Sequence, residues 1–116
     1  MRPFDSLRGR REFTLAMRRG AAASTPALTV HVFAPRGAAG AQSKVGVIVT
    51  KKVGNAVTRN RIRRRVKSIM ATRLPEGSGR WYVINCRPHA ATLAFPALRE
   101  QLLAATSRAV EARARR

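Results

Sequence analysis

Val45-Gly46-Val47-Ile48-Val49-Thr50-Lys51-Lys52-Val53-Gly54-Asn55-Ala56-Val57-Thr58-Arg59-Asn60-Arg61-Ile62-Arg63-Arg64 changes its period halfway along. Up to Thr50 the side chains alternate. Val45, Val47 and Val49 face one way and Gly46, Ile48 and Thr50 the other, which predicts a strand over Lys44–Thr50. Lys51–Gly54 is a connector. Asn55 is placed to cap a helix, because its side-chain oxygen can accept from the free N–H groups of a first turn. From Ala56 to about Arg73 the period is helical, and Pro75, Gly77 and Gly79 mark the end. At about 100° per residue, Ile62, Val66, Ile69 and Met70 form one apolar stripe. Arg63, Lys67, Asn60, Arg64 and Arg61 fill the arc away from it. Arg59 and Arg65 flank the stripe, where long stems pack while their heads reach solvent.

That arc is unfavourable in isolation. Like charges four apart, such as Arg59 with Arg63 and Arg63 with Lys67, each cost about 0.2–0.5 kcal/mol. A helix face meant only for water interleaves Glu with Lys, and this one does not. Arginine forks bind phosphate bidentately, which is the physical reason to concentrate them. Asn60 adds a side chain that both donates and accepts. Gly54 lets the backbone turn closely, and the helix N-terminus offers N–H groups to a phosphate. Lys51 and Lys52 extend the same charged surface. A helix that reads DNA base edges presents more varied side chains. A membrane-surface helix carries a broader apolar face.

Working outward, Arg10–Gly20 predicts a short helix with Phe13 and Met17 on one side, four residues apart. Ala21–Pro26 is small and turn-like. Leu28–Phe33 alternates as a strand, and Pro35–Gly40 is a loop through which a hairpin pairs it with Lys44–Thr50. On the other side, Arg80–Arg87 is a mostly apolar strand, expected to be central, and Pro88 breaks it. Phe95–Arg108 is a helix with Pro96 in its first turn and Leu98, Leu102, Leu103 and Ala105 inward. The order αββαβα is that of a small α/β sandwich (class α+β), one domain over 1–116 with basic tails at about 1–8 and 109–116. If its two strands are parallel, the unit from Lys44 to Arg87 is a βαβ crossover, ordinarily right-handed.

Composition supports the same reading. Among 116 residues, 24 Lys and Arg face five Asp and Glu, a formal charge of +19, with no acid between Phe13 and Pro75. Such self-repulsion is tolerable when a polyanion supplies the missing charge. Cys86 is the only cysteine, so no disulfide partner exists within the chain, and its apolar strand predicts a buried, inert thiol. His31 and His89 lack metal-ligand spacing. No stretch approaches the roughly 18 apolar residues of a membrane span, and no secretory signal opens the chain. A soluble intracellular protein without a membrane partner is expected. The five acids are scattered and no nucleophile–base grouping has a motif behind it, so no catalytic residue is assigned.

The opening segment resembles the signature of the bacterial ribonuclease P protein family: a strand, then Lys-Lys-x-Gly-Asn-Ala-Val-x-Arg-Asn-Arg, then a basic helix. Arg11-Glu12-Phe13 through Gly20 is similar to that family's first helix and Tyr82–Pro88 to its last strand, so the resemblance spans about residues 8–108. It implies a left-handed βαβ crossover in place of the usual hand. It implies a protein component that joins a large catalytic RNA in removing the 5′ leader of precursor tRNA. That RNA, with magnesium ions bound mainly by itself, performs the endonucleolytic hydrolysis in the cytoplasm. By position, Arg59, Asn60, Arg61, Arg63, Arg64 and Lys67 contact the catalytic RNA, with Lys51, Lys52 and Asn55 at the same loop and helix start. Phe13, Met17 and His31 line the leader cleft. Family members often carry aromatics at the positions of Met17 and His31, where a base could stack. The resemblance therefore implies weaker or differently tuned leader binding. A ribosomal protein or other structural RNA binder shares the charge and size but lacks this motif.

Overall fold

The computed structural model describes residues 4–115. Its elements are β1 (Phe4–Ser6), α1 (Gly9–Arg19), β2 (Ala21–Ser24), β3 (Leu28–Phe33), β4 (Ser43–Val49), α2 (Ala56–Ala71), β5 (Trp81–Cys86), a 3-10 turn over Pro88–Thr92, and α3 (Phe95–Ala114). The expected sequence of three helices and three strands is kept, with two short strands added. All five strands form one mixed sheet in the order β1-β4-β5-β3-β2. β4 and β5 are parallel, with Val45 beside Tyr82 and Val47 beside Ile84, so α2 is the connection of a βαβ unit.

The hairpin expected between β3 and β4 does not form. β5 lies between β3 and β4, antiparallel to the first and parallel to the second. Its side chains explain the insertion. Tyr82, Val83 and Ile84 are all buried, so this strand has apolar groups for both faces of the sheet and takes the central position. The loop after β3 is pinned to the loop before β5, where Gly40 N–H donates to Gly77 O at 2.7 Å and Gly79 N–H to Ala41 O at 3.0 Å. Gly79 has φ +66°, and a Cβ there would collide with the Ala38 carbonyl, so only glycine fits.

Two further segments differ from expectation. Ala21–Ser24, read as a turn, is an edge strand antiparallel to β3. Its small side chains let α3 lie close, since Ala21 and Ala23 on the strand and Ala105 and Ala109 on the helix are packed inward. The amino-terminal segment, read as a basic tail, contains β1, which pairs with β4 and buries Phe4 in the core. Met1–Pro3 and Arg116, the outer parts of the two expected tails, lie outside the described residues. At the other end α3 continues past Arg108 to Ala114 and keeps Ala109 buried.

Alternation along the strands builds two cores. Val30, Val32, Val45, Val49, Tyr82 and Ile84 meet Ile62, Val66, Ile69 and Met70 of α2 and Leu98 and Leu102 of α3. On the opposite face Ala16 of α1 meets Val83 and Leu7, with Phe13, Met17, Phe33, Ile48 and Trp81 around them. α1 therefore covers one side of the sheet, and α2 and α3 the other. Gly46 matters here: a Cβ on it would strike the Phe13 ring, so its absence makes room on β4 for that ring while α1 packs over β3 and β5.

Candidate nucleic-acid interface

The basic helix begins as its sequence dictates. Thr58 N–H donates to Asn55 Oδ1 at 2.9 Å, the N-cap bond. Lys51 and Lys52 stand exposed on the turn before it, closed by Val53 N–H donating to Thr50 O at 3.0 Å, with the Val53 side chain buried beneath. Arg59 reaches back, its Nε donating to Gly54 O at 3.1 Å, and so ties the turn to the first helical coil. No acidic side chain occupies the first turn.

The structure divides the arc into displayed and anchored cations. Arg61 and Arg64 are exposed, whereas Arg63 and Lys67 are half-buried. Arg63 donates through Nη2 to Val49 O at 3.3 Å and through Nη1 to Asn60 Oδ1 at 3.1 Å. It thus spans from α2 to the end of β4 and orients Asn60, whose amide N–H groups stay free to donate outward. Arg65 turns the other way and lies over the Phe95 ring at 6.0 Å, joining α2 to α3. Among the described residues no carboxylate pairs with any cation of α2; the ion pair nearest the sheet is Lys44 with Glu12, at 2.9 Å. Asn60, Arg63, Arg64 and Lys67 line a shallow groove of about 470 Å³. Val57, 68% exposed, stands one turn ahead of Arg61. An apolar side chain off the buried stripe is its signal in the sequence.

Phe13, Met17 and His31 share the sheet face that α1 covers. Phe13 and Met17 are half-buried against Val83, so packing takes a good part of both side chains. His31 is the cross-strand neighbour of Val83. Its Nδ1 is buried and finds no partner among the described residues, and burial holds its pKa below the ordinary 6.5. Beyond His31 the floor turns polar. Thr29 is flanked by Ser24 on β2 and Asn85 on β5. Arg87 donates through Nη2 to Thr29 Oγ1 at 2.8 Å and through Nη1 to Thr25 O at 3.0 Å. Asn85, the one amide in an otherwise apolar strand, was visible in the sequence but was not singled out. Cys86 is buried on the other face, where burial pushes its thiol pKa up to about 12 and leaves it unreactive. No helix among the described residues is long and apolar enough to cross a membrane.

A family model described as Ribonuclease P matches residues 1–110. A ribonuclease P protein component from Thermobifida fusca is 37% identical over 108 residues, covering 86% of this chain and 72% of that protein. The corresponding protein of Clavibacter michiganensis is 37% identical over 102 residues, covering 85% of this chain and 87% of its own. Among solved structures, the RNase P protein of Thermotoga maritima superposes with a TM-score of 0.71 at 26% identity, covering 86% of this chain and 93% of that one. The RNase P protein of Staphylococcus aureus superposes with a TM-score of 0.77 at 17% identity, over 88% and 92%, a likeness of fold.

Proposed function

Because the chain belongs to the ribonuclease P protein family, we propose that it works as the protein component that helps a catalytic RNA remove the 5′ leader from precursor tRNA. The basic arc of α2, with Lys51 and Lys52, docks on that RNA. The cleft beside α1, with Met17, His31 and the exposed edge of Phe13, takes the single-stranded leader. One observation carries the reading: Arg61 and Arg64 are exposed, with no carboxylate paired to them among the described residues. Cations held apart from any internal partner are ready to replace the counterions of a phosphate backbone.

Three contributions follow from the chain's own residues. Cations on α2 neutralise RNA phosphates and so lower the magnesium needed to keep the RNA folded. Cleft residues give the precursor contacts that the leaderless product lacks. Holding leader and RNA on one rigid domain orients the reactive phosphate. Among the described residues no three or more His, Cys, Asp or Glu are grouped so as to hold a metal ion. In this proposal the magnesium ions are bound mainly by the RNA, which performs the hydrolysis, and the complex works in the cytoplasm.

Affinity tests the docking half. If the α2 surface neutralises about five phosphates, through Lys51, Lys52, Arg61, Arg64 and Lys67, binding to the catalytic RNA falls roughly several hundred-fold between 50 and 200 mM salt on the duplex-DNA scale. A flat response contradicts it. For the cleft half, the assembled complex should bind precursor tRNA more tightly than mature tRNA, and equal affinities would remove the leader from the account.

A further inference from the structure

The α2 surface does not absorb the charge of this chain. Eight of its 24 basic residues lie between Lys51 and Lys67, and the remaining sixteen still outnumber all five acids. Part of the remainder is collected on α1, on the opposite face of the sheet. Its outward side carries Arg10, Arg11, Thr14, Leu15, Arg18 and Arg19, which line an open depression of about 930 Å³. Glu12, the only acid of this helix, is turned away from that side. One of its oxygens accepts from Arg8 N–H at 2.6 Å and the other pairs with Lys44 Nζ at 2.9 Å.

Helix stability does not ask for this arrangement. Arg18 and Arg19 sit in the last turn, where the helix dipole favours positive charge. Arg10 and Arg11 sit in the first turn, where it opposes them, and Arg8 at the N-cap offers no side-chain cap. An anion laid along the stripe removes that conflict. Arg11 and Arg18 are two helical turns apart, about 10.5 Å along the axis, with exposed Thr14 between them to donate its hydroxyl. This reach covers several successive nucleotides at about 3.4 Å of rise each. A protein partner calls for an apolar centre, and here Leu15 alone supplies one. Guanidinium forks with a hydroxyl between them suit phosphates and riboses.

We propose that the outer face of α1 is a second RNA-backbone surface, so that the domain is held between two RNA segments, one on each side of its sheet. Tethered cleavage tests this. Cys86 is only 4% exposed, so a single cysteine introduced by Arg11→Cys or by Arg64→Cys can be labelled selectively with iron–EDTA. Each labelled chain is assembled with the catalytic RNA alone, so that no leader lying beside α1 can be the strand that is cut. The expected result is strand scission from both positions, at separate stretches of RNA. In addition, Arg11→Ala with Arg18→Ala should reduce the slope of log affinity against log salt by about 2. Scission from the Arg64 position alone overturns the α1 surface and leaves the α2 reading standing, the outcome also expected if α1 meets an acidic protein. Scission from the Arg11 position alone overturns the α2 reading and supports this one. Scission from neither overturns both.

Discussion

At the scale of single residues, the cations of α2 were legible because no acid interrupts them, but their division of labour was not. Arg59 and Arg63 spend their guanidinium groups on Gly54 O and Val49 O, acceptors that no spacing rule points to. The division makes a prediction. Arg63→Ala leaves the end of β4 without its donor and costs about 1 kcal/mol of stability, whereas Arg61→Ala changes stability by less than about 0.5 kcal/mol. Chemical denaturation of the two variants checks this, and equal losses would mean that Arg61 is structural too. His31 makes a second prediction. Its neighbours across the strands are Ala22 and Val83, so no charge is set against it there, and burial lowers its pKa from 6.5. Below 6.5 the unfolded chain binds a proton that the folded chain resists, so stability falls as pH drops from 6.5 towards the folded value. Between about pH 7 and 5, His31→Gln should flatten that decline, as read by thermal melts. A variant that declines as steeply as the parent removes His31 as the cause.

At the scale of elements, the strands rich in branched residues announced themselves, and α2 began at the asparagine expected to cap it. β2 did not, because alanines carry no strand preference; its place comes from α3 packing over it. Pairing was illegible for a different reason. Strands adjacent in sequence usually neighbour one another, and only the two-sided burial of Tyr82, Val83 and Ile84 shows why β5 intervenes. On the side of the sheet that α1 covers, the packing of Phe13 into the space left by Gly46 is likewise a tertiary fact. The order of the sheet predicts the order of opening. Amide hydrogen exchange should be slowest in β5, the central strand, paired along its whole length on both edges, and fastest among strands in β1, a three-residue edge. Slower exchange in β1 than in β5 would contradict this strand order.

At the scale of the molecule, the sheet separates two basic helices, and the face that α1 covers carries apolar groups towards one end and polar ones towards the other. Residues distant in sequence share that face: Met17 from α1, His31 from β3, Asn85 from β5. A charge of +19 on 116 residues makes sense for a domain whose stable surroundings are polyanionic. The most direct measurement is cleavage of precursor tRNA by the cognate catalytic RNA at limiting magnesium, with and without this chain. The parent chain should stimulate leader removal, and Arg61→Ala with Arg64→Ala should lose most of that stimulation while remaining folded. Cleavage unchanged by the parent chain, or stimulated equally by the double variant, would contradict the assignment of α2 as the surface that serves the RNA.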